Sequence, residues 1–208
     1  MTKLVFVGGG GHAKVLIELV KSLAIYEIVG ILDPVLEIGE KVCGVPVLGS
    51  DDMLRNLYGR EVVNACIGVG STKSNDNRRR LFENLLQNGF AMPAFVHNKA
   101  VVSPSVVVSD GVQIMAGAIV QPGSRLGKNT IINTAAVVDH DCSIGSHVHV
   151  CPGAVVSGDC IIADGAFIGA GATLINGVKV GKNSVVGAGA VVLKDVPDDA
   201  LVKGVPAK

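Results

Sequence analysis

His140 and Asp141 stand side by side and are of the types that make a general base and the acid that orients it. Imidazole titrates near pH 6.5, so its neutral form can take a proton from an attacking amine or hydroxyl. The stretch 133–149 holds three of the five histidines, His140, His147 and His149, together with Asn133. A second candidate lies near the start of the chain. Gly8-Gly9-Gly10-Gly11-His12 follows an apolar run at 3–7 and precedes a helical pattern. A glycine turn opening a helix aims backbone N–H groups and the positive end of the helix dipole at an anion such as a phosphate. Asp33, at the end of the next apolar run, is placed to accept a hydrogen bond from a sugar hydroxyl or a base. Each feature also has a plain reading: an idle exposed histidine, or glycines that serve strand–turn packing alone.

The histidines sit inside a strict repeat. An aliphatic residue recurs at every sixth position: Val102, Val108, Ile114, Val120, Leu126, Ile132, Val138, Ile144, Val150, Val156, Ile162, Ile168, Leu174, Val180, Val186, Val192. Two residues before each is a small position, as at Ala100, Val106, Val112, Ala118 and Ser124. A period of six is no α-helix. It predicts a parallel β-helix whose short strands turn a corner every six residues, three hexads to a coil. His149 precedes the inward Val150, so alternation turns it outward. His140 lies two beyond Val138, near a corner. The two histidines therefore fall on different faces, which a neighbouring subunit could unite.

The first hundred residues alternate differently. Strands are expected at 3–7, 28–32, 45–48 and 62–67. Helices follow the glycine turn, with Val15, Leu16, Leu19 and Val20 on one face, and recur at 53–58 and 76–88. Strand–helix alternation predicts a small Rossmann-like parallel α/β domain. Its four strands suit a nucleotide-sugar half-site better than a full dinucleotide site. The expected domains are 1–97, the α/β nucleotide-sugar-binding unit; 98–195, the β-helix; and 196–208, a C-terminal tail.

Composition narrows the function class. Aromatics are only 3% although hydrophobics are 49%, as a narrow aliphatic interior requires. Net charge is zero with no long basic run, which speaks against nucleic acid. No segment is apolar enough for a signal peptide or a membrane span. Five cysteines without a C-x-x-C spacing suggest reduced thiols in a cytoplasm. Cys142 and Cys160 are eighteen residues apart, one rung or roughly 4.8 Å in a coil. They read as small core residues before they read as a metal or redox pair.

The turn V-F-V-G-G-G-G-H-A-K (5–14), the segment V-V-D-H-D-C-S-I-G-S-H-V-H-V-C-P-G-A (137–154), the hexads and the final G-V-P-A-K (204–208) resemble the PglD/NeuD-type bacterial sugar acyltransferases of the left-handed β-helix, hexapeptide-repeat superfamily. The resemblance covers essentially the whole chain, and it alone implies the left hand. It implies a homotrimer, a nucleotide-linked amino sugar on the N-terminal domain, and acetyl-CoA as co-substrate between adjacent subunits. Carried over, His140 is the catalytic base and Asp141, a Glu in the relative, its orienting acid. His149 meets the thioester end of acetyl-CoA, and Ala170 and Ala188 lie along the pantetheine. Gly10, Gly11 and His12 hold the phosphates, Asp33 the nucleoside, and Gly68 and Asn133 the substrate. Pro34 stands where the relative has a second acid, and the loop 69–77 is longer here. No metal is implied.

The reading is a cytoplasmic N-acetyltransferase acting on the 4-amino group of a UDP-linked 4-amino-4,6-dideoxy sugar, a bacillosamine-type precursor in glycan or lipopolysaccharide synthesis. A dTDP-amino-sugar N-acetyltransferase and a sialic-acid O-acetyltransferase are alternatives. More distant are a zinc carbonic anhydrase-like site, for which His spacings of seven and two offer no evident ligand set, and a non-catalytic solenoid.

Overall fold

The computed structural model describes residues 1–71 and 74–208. Two compact units emerge: Met1–Gly70 with Asn77–Phe95, and Val96–Lys208 with the segment Ser71–Asp76.

The first unit is built on a parallel sheet. In chain order its elements are β1 (Thr2–Val7), α1 (Gly11–Leu23), β2 (Tyr26–Leu32), β3 (Lys41–Val42), β4 (Val45–Gly49), α2 (Leu54–Gly59), β5 (Asn64–Ile67) and α3 (Asp76–Gln87). The sheet order is β3-β4-β2-β1-β5, with β3 antiparallel to β4 and the other pairings parallel. The β3–β4 hairpin is absent from the sequence reading. Its turn, Cys43-Gly44, has φ of 48° and 79°, the double positive φ of a tight hairpin turn. Leu4, Val5, Phe6 and Val7 are all buried, as a strand covered on both faces requires. Leu54, Leu57, Leu81, Phe82 and Leu85 of the following helices join Val5, Val7, Ala65 and Ile67 in one core. On α1 the buried stripe is Ala13, Leu16, Ile17, Leu19 and Val20, while Val15 is 48% exposed. The stripe expected through Val15 is thus rotated toward Ile17.

The second unit is the coiled one. Two-residue strands, from Val101–Val102 to Val191–Val192, pair in parallel with the strand eighteen residues on. Together with Phe95–Val96 and Leu201–Val202 they stack into three faces of six, five and seven strands. From Ile114 to Val192 every hexad aliphatic is buried. Residues 196–208, expected as a tail, partly continue the stack: Leu201–Val202 pairs with Val185–Val186, and Val180 bridges Val196.

The corners follow one rule. Every sixth residue from Gly111 to Gly189 has a positive φ. Glycine tolerates this, and Asn and Asp do so better than most residues. Asn129, Asp141, Asp159 and Asn183 occupy such corners. The small inward position has its own chemistry. The hydroxyls of Ser124 and Thr130 and the thiols of Cys142 and Cys160 donate to the carbonyls of Asp139, Gly145, Ser157 and Ile175, each fifteen residues on. A buried donor without an acceptor would cost on the order of 1–3 kcal/mol. The cysteines are therefore more than fillers. The hydrogen bond with Cys160 and, after it, burial push the Cys142 thiol up, away from the reactive thiolate. Among the described residues, no helix is long and apolar enough to cross a membrane.

Candidate functional site

In the α/β unit the chain leaves β1 toward β2 on one side and later returns to β5 on the other. That reversal opens a crevice at the carboxyl ends of the strands, where ligands bind in open α/β sheets. Gly10, Gly11, His12, Asp33 and Gly68 all lie at that edge. Their glycines do different things. A Cβ on Gly68 would run into the Gly8 carbonyl oxygen and lie 2.8 Å from the Ala13 Cβ, and one on Gly8 would strike Val69. Those two let β1 and β5 approach. A Cβ on Gly10 or Gly11 meets no protein atom within 4 Å. Packing therefore does not require glycine at either position. Gly10 caps α1 without a side-chain hydrogen bond, and no acid occupies its first turn. The start of α1 therefore keeps its preference for an anion.

Asp33 is committed to the backbone. Its Oδ2 accepts the Gly9 N–H at 2.8 Å, and its Oδ1 accepts those of Val35 and Leu36 at 2.9 and 3.2 Å. Burial pushes this carboxyl up, but the three donors outweigh it and hold it below its usual range. The aspartate thus shapes the glycine turn as well as facing the crevice. Arg78, which the sequence reading passed over, is 1% exposed and donates to the carbonyls of Ile67 and Val69 just after β5. Burial lowers its pKa to about 10, leaving it a cation at neutral pH.

In the coiled unit His140 and Asp141 form a corner between the first and second faces. Imidazole Nδ1 lies 3.0 Å from Asp141 Oδ2, and both side chains are exposed. The corner is built around them. Asp141 takes a φ of 56°. Ser124, wholly buried, ties the Asp139 carbonyl to the Cys142 N–H from inside. One coil below, a Cβ on Gly123 would overlap the Asp141 carboxylate; one coil above, a Cβ on Gly158 would lie 2.5 Å from His140 Cε1 and Nε2. Glycines thus flank the pair on both rungs. The hydrogen bond with Asp141 raises the His140 pKa, desolvation opposes it, and the charges of Asp139, Asp159 and Asp141 add to the rise.

His149 faces outward from the third face, as alternation requires, yet it is only 4% exposed. Ser71 lies against it, Oγ to Nδ1 at 2.7 Å, and Asn133 Nδ2 meets Nε2 at 3.0 Å. The Phe167 ring packs edge-on at 5.4 Å. These residues head a groove of about 690 Å³, lined further by Cys151, Ala170, Val185, Ala188 and Leu201. Its mostly apolar walls suit the long neutral arm of a thioester carrier. Asn75, 4% exposed, donates to the Gly165 and Ala166 carbonyls and fastens the segment that carries Ser71. Ser71 and Asn75 belong to the loop 69–77, whose Thr72 and Lys73 lie outside the described residues.

The structure thus joins His149, Asn133, Ala170 and Ala188 in one groove, and Gly10, Gly11, His12, Asp33 and Gly68 at one sheet edge. His140–Asp141 stands on a corner away from the third face. The three clustered histidines do not converge: His147 Nδ1 contacts Asn129 at 3.0 Å instead. Among the described residues, the one group of three possible metal ligands within mutual reach is His140, Asp141 and Asp159, all exposed. That is not a three-histidine zinc site. Gly158 and Gly123 were readable only as repeat members, because nothing local in sequence says which side chain crosses them.

Comparison with known proteins places the fold in a family. Residues 3–85 match the family described as PglD N-terminal domain, and 159–194 match bacterial transferase hexapeptide repeats. A histidine-to-asparagine variant of perosamine N-acetyltransferase from Caulobacter crescentus, solved with CoA and GDP-perosamine, is 39% identical over 99% of this chain and 95% of that one, with a TM-score of 0.93. The acetyltransferase domain of PglB from Neisseria gonorrhoeae with acetyl coenzyme A is 41% identical over 100% of this chain and 98% of that one, with a TM-score of 0.92. WeeI from Acinetobacter baumannii is 26% identical over 100% of this chain and 99% of that one, with a TM-score of 0.85. Matched along their full lengths to relatives of this identity, the α/β unit and the coils together make the chain a member of the PglD/NeuD-type sugar acyltransferases of the hexapeptide-repeat superfamily.

Proposed function

We propose that the protein transfers an acetyl group from acetyl-CoA to the amine of a nucleotide-linked amino sugar, and that its acceptor is the 4-amino group of a UDP-linked 4-amino-4,6-dideoxy sugar. The observation that carries this reading is the His140–Asp141 corner, held clear by glycines on the rungs above and below. Gly10, Gly11 and His12 bind the diphosphate, with Asp33 and Gly68 holding the nucleoside edge. Acetyl-CoA lies along the third-face groove, its pantetheine passing Ala170 and Ala188 and its thioester reaching His149. Asn133 borders the acceptor sugar.

Neutral His140 takes a proton from the amine as nitrogen attacks the thioester carbon. Asp141 fixes the ring and stabilises the imidazolium that forms. The carbonyl electrons move to oxygen, return, and expel CoA as a thiolate. One chain presents His140 and His149 on different faces. A homotrimer, with the His140 corner of one subunit against the third face of the next, completes the site. The exposed Leu201 and Val101, 65% and 63% accessible, are the kind of surface such packing covers. Five free cysteines support a reducing, cytoplasmic setting.

A GDP-linked acceptor is the second reading, favoured by the GDP-perosamine held in the Caulobacter relative. The test is thiol release from acetyl-CoA across UDP-, GDP- and dTDP-linked amino sugars, with sedimentation for the assembly. Turnover with a UDP-4-amino sugar is expected. Turnover with GDP-linked acceptors alone replaces the first reading by the second, and a stable single-chain species of 21.3 kDa sinks the trimer.

A further inference from the structure

The groove on the third face is lined by a hydrogen-bonded chain of three side chains, Asn133, His149 and Ser71. Asn133 Oδ1 accepts the Thr134 N–H at 2.8 Å, which turns its Nδ2 toward His149 Nε2. An amide nitrogen carries donors only. Nε2 must therefore be the bare nitrogen, and the ring is the neutral Nδ1–H tautomer. That proton goes to Ser71 Oγ at 2.7 Å. A hydroxyl that accepts a hydrogen bond from the ring keeps its own proton for a further acceptor. Ser71 lines the groove beside Asn133 and His149, against apolar walls that weaken competition from water.

We propose that the Ser71 hydroxyl donates a hydrogen bond to the carbonyl oxygen of the CoA-borne acyl group, with Asn133 and His149 as positioning residues that set the direction of its proton. This rests on the acyltransferase reading above. As the carbon–nitrogen bond forms, the carbonyl π pair moves to oxygen and the Ser71 hydrogen bond to that oxyanion strengthens. The Ser71 O–H bond itself is kept. When the carbonyl re-forms, the carbon–sulfur bond breaks and CoA leaves as thiolate, the amine proton having gone to the base. His149, with both ring nitrogens engaged, relays orientation and takes no proton. Ser71 is not what pins its own segment, because Asn75 does that independently through two backbone carbonyls.

The experiment compares wild type, Ser71→Ala and Ser71→Thr in acetyl transfer and in binding of free CoA, which has no acyl carbonyl. Nitrogen NMR of ¹⁵N-histidine-labelled protein reads the His149 tautomer. Ser71→Ala is expected to lower kcat by about 10²–10³-fold, the usual loss for one oxyanion donor, while CoA binding holds and Ser71→Thr recovers most of the rate. His149 should appear as neutral Nδ1–H. Wild-type kcat in Ser71→Ala, or a raised one, overturns the role, and so does an equal loss of CoA affinity. An Nε2–H ring or an imidazolium at neutral pH overturns the proton assignment. If the wild-type protein transfers no acetyl group to any amino-sugar nucleotide, the functional reading fails and this inference with it. Wild-type turnover with an unaffected Ser71→Ala removes the inference alone.

Discussion

In the α/β unit, glycines 8 and 68 bring two strand ends together, whereas in the coiled unit glycines 123 and 158 keep neighbouring rungs away from a histidine–aspartate pair. In the first case side chains are removed so that two strand ends can come close. In the second the backbone is a uniform ladder, and function depends on which side chains break its pattern. The repeat that makes the coil stable also makes every corner interchangeable. The proposed site is the one corner that carries His-Asp, with glycines on the rungs above and below.

Removing the pair from that corner should have the largest effect. His140→Ala is expected to lower kcat by roughly two to four decades with both substrates still binding, because the ladder does not use the ring. Isothermal titration with CoA and with the nucleotide sugar checks the binding half. Normal turnover would move the chemistry off the corner altogether.

Gly158→Ala asks whether the empty rung matters. The added methyl would sit 2.5 Å from the His140 ring and must displace it. A misplacement of about 1 Å can cost up to about 10²-fold in rate. The loss should fall on kcat, with the thermal midpoint little changed, since the neighbouring ring is exposed and can move aside. Unaltered kcat would mean that the ring's position over this rung is irrelevant to catalysis.

The α/β unit should respond in the opposite sense. Gly68→Ala forces a methyl onto the Gly8 carbonyl and should destabilise the fold by about 1–3 kcal/mol, the usual cost of overpacking. Gly11→Ala meets nothing, has no positive φ, and should leave stability unchanged or slightly raised, while KM for the nucleotide sugar rises. Denaturant unfolding and steady-state kinetics on the two variants separate them. Equal destabilisation would erase the distinction between packing glycines and ligand glycines.

The same contrast explains what the sequence disclosed. The hexads fix coil, face and corner so rigidly that the outward turn of His149 follows from its place before Val150. The α/β order is equally readable, because β-branched runs alternate with helical stripes. Hidden were the features set by neighbours distant in sequence. His149 is buried because Ser71, seventy-eight residues earlier, lies on it. Asp33 spends its oxygens on Gly9, Val35 and Leu36. Gly158 matters only because His140 happens to be one coil below. Sequence shows residue types at intervals along the chain. The crossings that give a residue its role become visible only when coils or strands are stacked.

The smallest expected effect is also the most specific to the corner. The acids around His140 hold its pKa above the ordinary histidine value of about 6.5. With the neutral ring as the proposed base, kcat/KM should rise with pH through an ionisation lying above that value. In Asp141→Asn the ring keeps a polar neighbour but loses the hydrogen-bonded anion, the largest of the raising influences, and the rise should move to lower pH. Added salt should shift the wild-type rise the same way, because the pair is exposed and its charges are screened. Protonation also links to folding. A raised folded pKa favours the native state fully below the unfolded value and loses that contribution as pH climbs through the folded one. Stability and rate should therefore change in opposite directions across the same interval. Ionisation of the substrate amine would give a rising profile too, but neither Asp141→Asn nor the stability curve would follow it. A pH–rate profile in the variant that overlays the wild type would assign the titration to the substrate and leave Asp141 as a corner residue alone.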